Sequence, residues 1–253
     1  MLKGRIACGA LCMAACSLDG ATFDRLEAEP ARGSNTANAD ASDAELEAFV
    51  ARVVGDADQS WASDFQRRNK PYVAAKVVPF SDRAPNPCAS TGISAADPKC
   101  QDSQAVYVDL DFQRALQARL GKEAVPAQAY ALAHAVGHHV QRVLGMDREA
   151  ARLVAGKPVA SHSVELALEL QADCFAGVWA RVTKSKDLLT REQVEPALRG
   201  VSEVGTERQL AKEREQKPAL ETFTYAIPRR RTYWFAKGFT SAKVEDCDTF
   251  ASD

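Results

Sequence analysis

Apolar residues recur along this chain mostly at helical spacing, interrupted by two short runs of a different kind. Ser42-Asp43-Ala44-Glu45 has the form of a capping box, and Leu46, Phe49, Val50, Val53 and Val54 follow it three and four apart, so a helix should open here. "YVAAKVVPF" (72–80) and "AVYVDL" (105–110) are dense in β-branched and aromatic residues and read as strands. Helical periodicity returns at about 111–120, 126–144, 162–183, 190–199 and 203–216, and once more near 229–237. The expected fold is α+β and predominantly helical, with one small sheet. Residues 16–41 are rich in Ala, Asn, Asp and Gly without apolar periodicity and read as a flexible tether, which leaves 42–253 as the folded domain.

The first residues, "MLKGRIACGALCMAAC", place Lys3 and Arg5 ahead of a short apolar stretch that ends in small residues. Those are the features of a secretory signal over 1–15. The stretch is too short to span a bilayer, and no other segment approaches the roughly 18 to 20 apolar residues required. Met13-Ala14-Ala15-Cys16 resembles a bacterial lipoprotein cleavage box, with methionine where leucine is more usual. Cys16 would then carry lipid, and the membrane of the cell envelope would be a partner through that anchor. The alternative is an ordinary signal cut nearby, leaving a soluble periplasmic protein.

Of seven cysteines, Cys8 and Cys12 leave with the signal and Cys16 is assigned to lipid, so Cys88, Cys100, Cys174 and Cys247 remain. In an oxidising compartment they suggest two disulfides. Cys88 and Cys100 flank a loop rich in Ser, Gly, Asp and Pro and are paired on that ground, leaving Cys174 with Cys247. A cysteine metal site is disfavoured because no C-x-x-C spacing occurs. With 253 residues, 46% of them hydrophobic, the chain can fill one main domain. A net charge of −2 gives no electrostatic reason to expect nucleic acid, and Arg229-Arg230-Arg231 reads as a solvated helix face.

The candidate chemistry lies in "AYALAHAVGHHVQRVLG" (129–145). Residues four apart on a helix are about 40° apart in projection, so His134 and His138 share one face and can share one metal ion. Pro126 suits the first turn of this helix and Gly145 its end. Two histidines at this spacing can also be polar residues on an exposed face. Tyr130, Leu132, Val136 and Val140 argue for a buried helix, where unpaired imidazoles are costly. "SVELALELQADCFAGVWARV" adds Glu169 and Asp173, again four apart among apolar neighbours. A surface ion pair is one reading of these two. A zinc ion held by His134, His138 and Glu169, with Asp173 accepting the free ring N–H of a ligand histidine, is the other. His139 lies about 100° around the helix from His138 and is expected behind the ligands or hydrogen-bonded in the core. His162, at a helix start, is expected to be exposed.

"QAYALAHAVGHHVQRVLG", "ELQADCFAGVWA" and "TYWFAKGF…CDTF", with "GDADQSW" and "VYVDLDF", together resemble the bacterial neutral zinc metallopeptidase family, a gluzincin-like group, from about Glu45 to Phe250. The resemblance implies a zincin-like domain with an active-site helix, zinc as cofactor on His134, His138 and Glu169, and Asp173 behind them. It also implies a catalytic glutamate where this chain has Ala135, and a histidine where it has Tyr225, a position that can stabilise an oxyanion. A glutamate there takes the proton of the zinc-bound water and delivers it to the leaving amine, and a methyl group can do neither. Tyr225 can still donate a hydrogen bond. Two departures in one site favour a naturally degenerate peptidase over an engineered inactivation at 135.

Three readings follow. One is an exported zinc-binding pseudopeptidase whose cleft holds a peptide or protein. Another is an active or weakly active peptidase in which Glu165 or His139 serves as base. The last is a structural envelope protein with a vestigial, metal-free site.

Overall fold

The computed structural model describes residues 43–81, 104–155, 158–183, 185, 187–214 and 228–250, all within one unit of the chain. The expected signal and tether, Cys16, the Cys88 and Cys100 pair, Tyr225 and the side chain of His162 lie outside the described residues.

Helix α1 (Asp43–Arg67) opens where the capping pattern places it and buries Leu46, Val50, Val53, Val54, Ala57, Trp61 and Phe65 along one stripe. Strands β1 (Lys76–Phe80) and β2 (Ala105–Asp109) pair in parallel, Lys76 against Ala105 and Phe80 against Asp109. β1 begins four residues later than the β-rich run. Within 72–75 the chain is claimed by side chains instead: Asp58 of α1 accepts from the Tyr72 hydroxyl at 2.8 Å and the Ala75 amide at 2.7 Å. Asp109 then caps α2 (Leu110–Leu120), accepting from the Phe112 amide at 3.0 Å.

Helix α3 (Ala124–Leu144) carries Pro126 in its first turn and ends on Gly145. It is buried on most sides, touching α1, α2 and β2 as well as the later helices, so its Ala-rich sequence forms the centre of the molecule. Arg142 Nη2 ties it to β2 by donating to the Ala105 carbonyl oxygen at 2.8 Å. The sequence pattern did not separate out α4 (Met146–Val154), a nine-residue helix too short to build a clear repeat.

Helix α5 (Pro158–Val182) begins earlier than expected, and the two helices read at 190–199 and 203–216 are one, α6 (Val194–Arg214). The interruption expected near Gly200 does not occur because Val194, Ala197, Leu198, Val201 and Val204 form one buried stripe through it. Helix α7 (Pro228–Ser241) makes its largest contact with α5. A 3-10 turn (Val244–Cys247) follows, and the Cys174–Cys247 disulfide, with Cα atoms 5.6 Å apart, fastens it to α5 as the cysteine count predicts.

The arginine run at the start of α7 corrects a sequence expectation. Arg229 and Arg230 are exposed, but Arg231 is 1% exposed. Its position is in phase with buried Phe235, one turn on, so the buried stripe of α7 extends back to a cation.

"GDADQSW" also finds its place. Asp56 accepts from Trp179 Nε1 at 2.8 Å, from the Thr183 hydroxyl and from Ser185 Oγ at 2.9 Å, so it binds α1 to the end of α5. Trp61 packs edge-on against Phe175 of α5 at 5.5 Å. Among the described residues no helix is long and apolar enough to cross a membrane.

Candidate metal centre

Helices α3 and α5 cross where each carries its polar residues. Gly137, between the two histidines, permits the approach: a Cβ there would stand 2.8 Å from the carbonyl oxygen of Ala172. The close contact faces His134 and His138 toward Glu169 and Asp173.

His134 Nε2 and His138 Nε2 lie 3.1 Å apart, with their rings at 89° to each other. Glu169 Oε2 is 3.2 Å from His134 Nε2 and Oε1 is 3.3 Å from His138 Nε2. Ligands about 2.0–2.1 Å from a tetrahedral ion stand about 3.3 Å from one another, so these separations match the edges of a zinc coordination shell. His134 and Glu169 are nearly enclosed, at 4% and 13% side-chain exposure, whereas His138 at 28% marks the side open to solvent.

The partners of the two rings set which nitrogen faces the centre. His134 Nδ1 donates to Asp173 Oδ1 at 2.8 Å and His138 Nδ1 donates to Gln141 Oε1 at 2.8 Å. With a proton on each Nδ1, Nε2 is the atom through which each ring can bind a metal. Glu169 Oε2, itself buried, receives no hydrogen bond. The two Nε2 atoms and the Glu169 carboxylate therefore converge on one point, an arrangement that suits a cation. Burial pushes the Glu169 carboxyl up, but the facing His138 and His134 outweigh it and hold it well below the usual range. Burial likewise opposes charge on His134, yet Asp173 and Glu169 raise it.

Behind His134 stands a buried network. Asp173, fully enclosed, accepts at Oδ1 from His134, from the Tyr130 hydroxyl and from Arg231 Nη2 at 2.9 Å, and at Oδ2 from Arg231 Nε at 2.8 Å. Burial alone would raise the Asp173 carboxyl, but Arg231 and His134 more than offset it and keep it ionised. Burial also lifts the Tyr130 phenol well above its ordinary value, so this hydroxyl stays a donor.

The structure thus brings His134, His138, Glu169 and Asp173 together, with Ala135 half-buried on the same helix. His139 is spent elsewhere: its Nε2 donates to the Val73 carbonyl oxygen at 2.8 Å and its ring stands edge-on to Tyr72. Burial lowers its pKa and keeps it neutral, so it anchors the segment before β1. Glu165 is half-buried one turn before Glu169 and is not part of the group whose ligand atoms lie within 4.8 Å. Sequence reasoning missed Tyr130, Gln141, Gln171 and Arg231. Only Tyr130, one turn before His134, and Gln141, one turn after His138, shared a ligand's phase, which marks a position without giving its role.

Two helices that bring a buried histidine, a half-buried histidine and a carboxylate to one point, with both rings oriented from behind, form a candidate metal site of the His₂Glu kind. Comparison with known proteins narrows this. A family described as "putative neutral zinc metallopeptidase" matches residues 8–250, and the chain belongs to it. The uncharacterized protein YpfJ of Escherichia coli K12 is 31% identical over 204 residues, covering 80% of this chain and 70% of its own length. The uncharacterized protein Rv2575 of Mycobacterium tuberculosis H37Rv is 29% identical over 195 residues, covering 72% of this chain and 64% of its own length. No solved structure matches.

Proposed function

We propose that the chain is an exported zinc-binding pseudopeptidase, one that holds a peptide or protein in its cleft without cutting it. The observation that carries this reading is a complete donor set beside a methyl group. His134, His138 and Glu169 converge with coordination-shell spacing, while residue 135, where the family resemblance places the general base, is alanine. Zinc, when bound in such a site, supplies a Lewis acid and a water of lowered pKa. Asp173 and Gln141 hold the two rings by Nδ1, which turns each Nε2 toward Glu169. His139 is not favoured as a substitute for the missing base, because its Nε2 is hydrogen-bonded to the Val73 carbonyl.

Removing a general base lowers turnover by roughly 10² to 10⁴, about 3 to 5 kcal/mol of barrier. Export and lipid attachment at Cys16 belong to the same proposal, and the Cys174–Cys247 disulfide fits an oxidising compartment.

The test pairs metal analysis with hydrolysis of casein and short peptides by the natural protein and by Ala135→Glu. Stoichiometric zinc in both, with hydrolysis rising by about 10² or more only in Ala135→Glu, is the expected result. Zinc-dependent hydrolysis by the unmodified protein that His138→Ala abolishes would overturn the pseudopeptidase reading. Absence of zinc from the purified protein would overturn the metal-centre reading.

A further inference from the structure

His134 is oriented by a carboxylate, but His138 is oriented by an amide, and an amide can be turned either way. Gln141 could offer its oxygen to the ring, which demands a proton on Nδ1, or its nitrogen, which demands a bare Nδ1 and moves the ring proton to Nε2. Only the first leaves Nε2 free for a metal. What surrounds Gln141 therefore decides whether His138 can act as a ligand through Nε2.

The surroundings allow one orientation. Gln141 Nε2 donates to the Leu168 carbonyl oxygen at 2.8 Å and to Gln171 Oε1 at 3.1 Å. Leu168 O is an acceptor only, so the amide nitrogen must face it. Gln171 is fixed in the same way: its Nε2 donates to the Cys247 carbonyl oxygen at 3.0 Å, which turns its Oε1 toward Gln141. Both glutamines are buried, at 2% and 3% exposure, so neither can flip without abandoning a hydrogen bond in a place water does not reach. The polarity of the relay is set by two backbone carbonyls, one in α5 and one at the disulfide, and it ends on the Nδ1–H of His138.

We propose that Gln141 and Gln171 are positioning residues for the metal centre, a polarity-locked amide relay that commits His138 to Nδ1–H and bares its Nε2 for zinc. The proposal rests on the metal-centre reading and extends it to residues that touch neither the metal nor a substrate. Groups that orient a ligand histidine from behind typically change metal affinity by roughly 10- to 100-fold when removed.

The test uses the full mature chain, loaded with zinc, and reads two signals from ¹⁵N-labelled protein. One is which ring nitrogen of His138 carries the proton, and the other is how fast that proton exchanges. In the unmodified protein a slowly exchanging Nδ1–H is expected at His138, with slow exchange of the Gln141 and Gln171 side-chain amides. In Gln141→Leu and Gln171→Leu, protection at His138 should fall and zinc affinity, read by chelator competition, should drop by about 10-fold or more for the first. The Nδ1–H of His134, held by Asp173, should keep its protection in both.

That selectivity separates positioning from general loosening, which would expose both rings alike. Zinc on Nδ1 of His138 in the unmodified protein, or wild-type affinity in Gln141→Leu, overturns the proposal. Should the variants fail to fold, fast exchange of the two glutamine amides in the unmodified protein overturns it by itself. If the unmodified protein takes up no zinc, the metal-centre reading fails, while slow amide exchange would still show the relay.

Discussion

A buried guanidinium is tolerated only when its charge is met, and Arg231 meets the one carboxylate that orients a candidate zinc ligand. Removing one partner of such a pair leaves the other buried and uncompensated. Arg231→Met should therefore cost about 3 to 5 kcal/mol, measured as a lowered denaturation midpoint with unchanged slope. Arg231→Lys keeps the charge but cannot span both Asp173 oxygens, so its loss should be smaller yet clear. The candidate ligands were legible in the sequence because their spacing on helices is diagnostic: His134 and His138 are four apart, and so are Glu169 and Asp173. Arg231 was not, since two exposed neighbours of the same type hide a residue whose burial depends on which way α7 faces. Gln141 and Gln171 were illegible for another reason. A glutamine gives no sign of whether it meets water or a backbone carbonyl until the chain is folded.

Between elements, the site depends on how closely α3 approaches α5. Gly137→Ala sets a methyl 2.8 Å from the Ala172 carbonyl oxygen, which is backbone and cannot swing aside. The expected cost is about 1 to 3 kcal/mol of overpacking, partly offset by the roughly 0.8 to 1.0 kcal/mol that alanine gains over glycine in a helix. Zinc affinity should fall more visibly than stability, by about 10-fold or more, because pushing the helices apart draws His134 and His138 from Glu169 without altering a ligand. Gly55 of α1 provides the contrast, since nothing lies within 4 Å of a Cβ built there. Gly55→Ala should raise stability by up to about 1 kcal/mol and leave zinc affinity unchanged. Calorimetry and chelator competition on the two variants check both statements. At this scale the sequence located nearly every helix, because long apolar stripes survive in any context. It split α6 at a glycine that the buried stripe passes through, and it overlooked α4, whose nine residues carry little pattern. Which helices touch was not readable, because the contact between α3 and α5 is made by a glycine and a backbone carbonyl, neither of which leaves a hydrophobic signature.

For the molecule as a whole, the candidate metal centre and the disulfide are two clamps on helix α5, the first to α3 and the second to the 3-10 turn at Val244–Cys247. Cys174 directly follows Asp173, and the carbonyl of Cys247 holds the far end of the Gln171–Gln141 relay. The disulfide closes a loop of 73 residues in sequence, for which the chain-entropy account gives about 4 kcal/mol. Bound zinc adds stability by mass action, about 2.7 kcal/mol at a free concentration 100 times its dissociation constant. If the clamps were independent, removing both would cost the sum of the separate losses. Through the relay they are joined: freeing Cys247 loosens the carbonyl that fixes Gln171, so reduction should also weaken zinc binding at His138. Thermal unfolding in four states, oxidised or reduced and with zinc or chelator, therefore should not be additive. The zinc-dependent rise in midpoint is expected to be smaller in the reduced protein than in the oxidised one. Equal rises in both would mean that the disulfide stabilises the fold without reaching the metal.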